Sequence, residues 1–127
     1  DRGVPLDGVG HQFHVSLSTP VSALETALER FAHLPVVQAV TELDVTVGTP
    51  VTQANLVEQG YFYRDAFEVF RDFHAATGDM YSVTVWGLQD GQPLVRNGLP
   101  VSRARSMTLE SVRIAMSCPA LKSISSN

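Results

Sequence analysis

The stretch VVQAVTELDVTV, residues 36–47, decides how this chain is read. Nearly every residue in it is apolar or β-branched, the composition of a parallel strand buried on both faces. Glu42 and Asp44 interrupt it, and a carboxylate in such a run is costly unless something pairs with it. Side chains two apart on a strand share a face, so both acids point to one side. Two like charges so close disfavour joint ionisation unless a donor sits beside them. The residues alone leave two readings open. One is a functional pair at the ligand-binding end of a strand; the other is a solvated strand end or a set of structural ion pairs.

Working outward, residues 9–17 have strand character, with His11, Phe13 and Val15 on one face and Gln12 and His14 on the other. Residues 18–34 predict a helix: Ser18 or Thr19 as its N-cap, Pro20 in its first turn, and Leu24, Ala27, Leu28 and Phe31 at helical spacing. Beyond the central strand, residues 52–79 predict a longer helix whose Phe67, Phe70 and Phe73 form an apolar face, closed by Thr77-Gly78-Asp79. Residues 81–88, YSVTVWGL, predict a third strand. The order β-α-β-α-β implies an α/β fold with parallel strands covered by helices. Gln12, His14, Glu42, Asp44 and Trp86 then all lie late in their strands, the end at which parallel sheets bind ligands. On residues alone, His14 reads first as a partly buried histidine bonded to a carbonyl, and Trp86 as a core residue.

Composition narrows the classes. The chain has 127 residues, a net charge of −4 and a pI near 5.4, so no basic surface argues for nucleic acid or an anionic membrane. Its apolar runs are too short to span a bilayer. A single cysteine, Cys118, permits no internal disulfide, and the four histidines show no metal-ligand spacing, so neither metal nor cofactor is expected. The first residue is Asp1, which suggests a mature chain or a piece of a longer one. After Gly87 the character changes: residues 88–127 carry Arg96, Arg103, Arg105 and Arg113 and no aromatic residue. A weak helix over residues 108–116 is the only element predicted there, and the last residues read as a frayed tail.

Three motifs in order, DGVGHQFH (7–14), VTELDV (40–45) and SVTVWGLQD (82–90), resemble the last three barrel strands of glycoside hydrolase family ten. The resemblance covers residues 3–91. It implies part of a (β/α)8 barrel, strands six to eight, and a retaining endo-1,4-β-xylanase activity on xylan or xylo-oligosaccharides. It also implies roles: Glu42 the catalytic nucleophile, His14 the histidine that hydrogen-bonds it, Asp44 the acid that holds that histidine, Gln12 a polar residue beside the sugar cleft, and Trp86 the tryptophan flooring the cleavage subsite. Secretion is expected because polymeric xylan does not enter cells.

The resemblance has two gaps. A retaining glycosidase needs a second carboxyl group as acid/base, about 5–5.5 Å from the nucleophile. The family carries that glutamate in a motif resembling W-D-V-V-N-E on strand four, which does not occur here. After Gln92 the chain reads Pro93-Leu94 and leaves the family pattern, so residues 1–91 are set apart as the partial barrel and 92–127 as a divergent or artefactual tail. The competing expectation is therefore a catalytically incomplete partial barrel. It would hide its open strand edges by self-association or against a complementing barrel portion, and retain at most residual carbohydrate binding.

Overall fold

The computed structural model describes residue 3, residues 5–86, and the backbone of residues 94–96 and 99–101. The elements run β1 (Gly8–Ser16), α1 (Ser22–Glu29), β2 (Val37–Thr46), α2 (Gln53–Thr77), β3 (Met80–Val85), β4 (Leu94–Arg96) and β5 (Leu99–Val101). The first three strands form a parallel sheet in the order β1-β2-β3, with β2 central; β4 and β5 form an antiparallel pair. The expected alternation of strands and helices is present. The helix expected over residues 108–116 lies outside the described residues, as does the rest of the tail apart from β4 and β5.

Both helices pack on one face of the sheet. Leu24 and Leu28 of α1 and Phe62, Tyr63, Ala66, Phe70 and Phe73 of α2 close over Val40, Leu43 and Val45 of β2. Phe13 and Val15 flank this core from β1, and Val83 and Val85 from β3. Burying each such side chain contributes roughly 1.5–3 kcal/mol, so this layer is the main source of stability. Two buried amides tie the helices to β2. Gln38 Nε2 donates to the Leu28 carbonyl at 3.2 Å, and Gln59 Nε2 donates to the Val45 carbonyl at 2.7 Å.

The first helix is shorter than its apolar spacing predicts. Thr19 does not cap it. Its N–H donates to the Ser16 carbonyl and its hydroxyl accepts from the Ser16 N–H, so Thr19 closes the turn leaving β1. The N-cap position falls to Val21, which offers no side-chain acceptor, and Pro20 precedes the helix. At the other end, bonds from Phe31 N–H to Leu28 and from Ala32 N–H to Glu29 tighten the chain into turns.

The second helix follows its sequence signals closely. Thr52 accepts from the Asn55 N–H at its start, and Gly78 ends it in the left-handed region at φ 75°, donating to the His74 carbonyl at 2.7 Å. An alanine there meets no atom, but its Cβ disfavours that backbone. Gly78→Ala is therefore expected to cost about 1 kcal/mol, read as a lower urea midpoint with an unchanged slope.

Candidate active site

Parallel pairing of β1 with β2 sets Gln12 beside Glu42 and His14 beside Asp44. All four project from the sheet face opposite the helices. Phe13, Val15, Leu43 and Val45, their neighbours along the strands, go into the core. The four side chains form one connected network. His14 Nδ1 lies 2.7 Å from Asp44 Oδ2, and His14 Nε2 lies 3.1 Å from Glu42 Oε2. Gln12 Nε2 donates to the other oxygen of Glu42, Oε1, at 2.8 Å.

The network is graded in exposure. Asp44 is 1% exposed, while the side chains of Glu42 and His14 are 20% and 37% exposed. A buried carboxylate facing an imidazole nitrogen orients the ring and fixes which nitrogen carries a proton. With a proton on each ring nitrogen, His14 donates to both carboxylates at once. Glu42 is then held on both oxygens by donors from β1 yet stays open to solvent. Such an arrangement presents an oriented, accessible carboxylate. Asp44 is too enclosed to touch a bound molecule, and its second oxygen meets no donor among the described residues.

A step in the ladder brings Glu42 to this face. His11 pairs with Val40, but Gln12 pairs with Glu42, so Thr41 is an extra residue on β2, a β-bulge. The buried residues show it: Val36, Gln38 and Val40, then Leu43, Val45 and Val47, with a spacing of three at the step. Simple alternation from Val40 would turn Glu42 and Asp44 into the core and Leu43 and Val45 out of it. The Thr41 hydroxyl donates to the His11 carbonyl at 3.1 Å, and a Cβ on Gly10 would stand 2.9 Å from Thr41 Cγ2. Reading the sequence for chemistry passed over Thr41 and Gly10. Only the pattern of burial, with its three-residue step across Thr41, marks them.

Trp86 follows β3 directly and is joined to β2 by its backbone, whose N–H donates to the Leu43 carbonyl, one residue beyond Glu42. Trp86 is 50% exposed and lies outside the buried core of the described residues. Among the described residues its indole makes no hydrogen bond to the other four. His11 lies on the opposite face, buried between Phe13 and Phe31, with Nε2 2.8 Å from Gln38 Oε1; it belongs to the core. Among the described residues no group of three or more histidine, cysteine or acidic side chains is arranged to hold a metal ion.

The sequence matches the glycosyl hydrolase family 10 profile over residues 1–104. Endo-1,4-beta-xylanase C of Paenibacillus barcinonensis is 40% identical over 97 residues, which is 70% of this chain and 9% of that protein. A solved family 10 structure from the same organism superposes with a TM-score of 0.73 at 31% identity, covering 94% of this chain and 38% of the other. The intracellular xylanase TsXylA of Thermoanaerobacterium saccharolyticum, solved with xylotetraose, shares the fold with a TM-score of 0.69 at 24% identity, over 89% of this chain and 35% of its own. The chain thus spans well under half the length of these relatives. Its three parallel strands and covering helices align with part of a (β/α)8 barrel, and the chain belongs to glycosyl hydrolase family 10.

Proposed function

We propose that this chain supplies the nucleophile of a retaining endo-1,4-β-xylanase, with Glu42 attacking the anomeric carbon of a xylan backbone sugar. The observation that carries the reading is the two-sided hold on Glu42. Gln12 donates to one carboxylate oxygen and His14 Nε2 faces the other at 3.1 Å, while the group remains accessible. A carboxylate nucleophile must stay ionised and aimed as the glycosidic bond opens, and paired donors supply both conditions. Asp44 acts through His14, and Gln12 is placed to meet the sugar ring as well as Glu42. The half-exposed ring of Trp86 suits stacking on a sugar face.

Double displacement also needs an acid to protonate the leaving oxygen and, in the second step, a base to activate water. Asp44 is too buried to serve. A substrate whose leaving group needs no proton, such as 2,4-dinitrophenyl β-xylobioside, bypasses the first requirement but not the second. The chain is expected to release about one equivalent of dinitrophenolate and then stall, with the glycosyl group on the peptide bearing Glu42. Stopped-flow absorbance and peptide mass spectrometry read the two results. A label on any other residue, or none, rejects Glu42 as nucleophile.

A second reading, a catalytically incomplete barrel portion that associates with itself, is favoured by the flanks of the sheet. β1 and β3 are its edges, and Tyr81 and Trp86 on and beside β3 stand exposed. Light scattering separates the two readings: a monomer at micromolar concentration counts against association. Secretion goes with a polymeric substrate. A preference for short oligosaccharides over xylan would favour an intracellular role instead.

A further inference from the structure

We infer that Thr41 is a positioning residue for Glu42, which it fixes against His14 and Gln12 by locking the bulge together with Gly10. The catalytic consequence rests on the reading of Glu42 as nucleophile; the positioning itself rests on geometry alone.

At the bulge, Thr41 and Glu42 together face Gln12, and the regular ladder is broken. The threonine meets this step in two independent ways. Its hydroxyl satisfies the His11 carbonyl at 3.1 Å, and its Cγ2 methyl fills the space beside Gly10, where any Cβ would stand only 2.9 Å away. Residue 10 therefore has to be glycine for a threonine to sit at 41 without displacement. Glu42 follows directly in the chain, so a shift of the Thr41 backbone passes straight to the Glu42 carboxylate. The contacts at stake, 2.8 Å to Gln12 and 3.1 Å to His14, weaken steeply with such a shift. Asp44 lies two residues further on, seated between the fully buried Leu43 and Val45, and is insulated from it.

Serine keeps the hydroxyl and loses the methyl; valine keeps the shape and loses the hydroxyl. The test follows the ring nitrogens of His14 by ¹⁵N NMR in the full chain. Thr41→Val is expected to move the Nε2 signal, which faces Glu42, and to leave the Nδ1 signal, which faces Asp44, near its wild-type position. Thr41→Ser is expected to keep both. Gly10→Ala is expected to move Nε2, and adding Thr41→Ser to it restores the signal, because the clashing methyl is gone.

On the dinitrophenyl substrate, the burst rate constant of Thr41→Val is expected to fall about 10- to 100-fold, with half-saturation changed less than about twofold. Thr41→Ser is expected to recover the rate. An unchanged Nε2 signal in Thr41→Val overturns the inference. So does movement of both nitrogens together, which would mean general loosening of β1 from β2. If Thr41→Val fails to fold, Gly10→Ala and its Thr41→Ser suppressor decide the matter by the same signals. If the wild type shows no label at Glu42, the catalytic reading falls while the ring signals still judge the positioning.

Discussion

Glu42→Ala is expected to abolish the dinitrophenolate burst, lowering its rate constant by about 10,000-fold or more. Loss of a nucleophile is not graded, because the covalent intermediate has no other atom on which to form. The substitution also leaves a gap between Gln12 and His14 the size of a carboxylate, with two donors still pointing into it. A small anion such as azide fits that gap and attacks the anomeric carbon from the side Glu42 occupied. Added azide is therefore expected to restore release and to yield the α-xylobiosyl azide, the stereochemistry of a single inversion. NMR of the product reads this directly. A β-azide, or release that azide leaves unaffected, would show that Glu42 does not attack.

Phe70→Ala is expected to be the most damaging substitution away from the site, at about 3–5 kcal/mol. Phe70 is 2% exposed, stacks on Phe13 of β1 at 6.0 Å between ring centres, and meets Phe67 edge-on. The cavity left behind opens under β1, the strand that carries Gln12 and His14. A chain that survives the loss should thus show a looser Glu42 as well as a lower urea midpoint. Phe70→Leu keeps most of the volume and is expected to recover more than half of the stability. An alanine variant within about 1 kcal/mol of wild type would mean that α2 is not what seats β1.

The architecture was legible because the apolar periods of strands and helices differ, and β1 and both helices keep theirs. The two faces of β1 could be read residue by residue, since it alternates without interruption through Phe13 and Val15. β2 could not be read that way. Its apolar residues are so continuous that the inserted Thr41 leaves no visible break, and only burial exposes the shift of face. That Glu42 and Asp44 share a side followed from their spacing. That this side is the one away from the helices depended on the bulge.

Elsewhere, tertiary bonding overrode local signals. Thr19 is as good a cap as Thr52, but Ser16 claims it first, and the helix begins three residues later. His11 adjoins Gln12 in the chain, but its aromatic neighbours on α1's exit turn and on β1 draw it into the core. For Trp86, sequence located the residue at the end of the third strand, and its exposure is a property of the surroundings that no single residue encodes.

The two buried amides that tie the helices to β2 have a consequence beyond cohesion. Greasy contacts are indifferent to small translations: a helix slid along a strand by one residue would still find apolar partners. Gln38 and Gln59 are not indifferent, because each reaches one particular carbonyl, at Leu28 and at Val45. They act as alignment pins, one on each side of the bulge and one for each helix. Sliding either helix would strand a buried amide, a penalty of about 1–3 kcal/mol apiece. The precision with which Glu42 meets its donors is thus set partly from the far side of the sheet, by two neutral side chains that never approach a sugar.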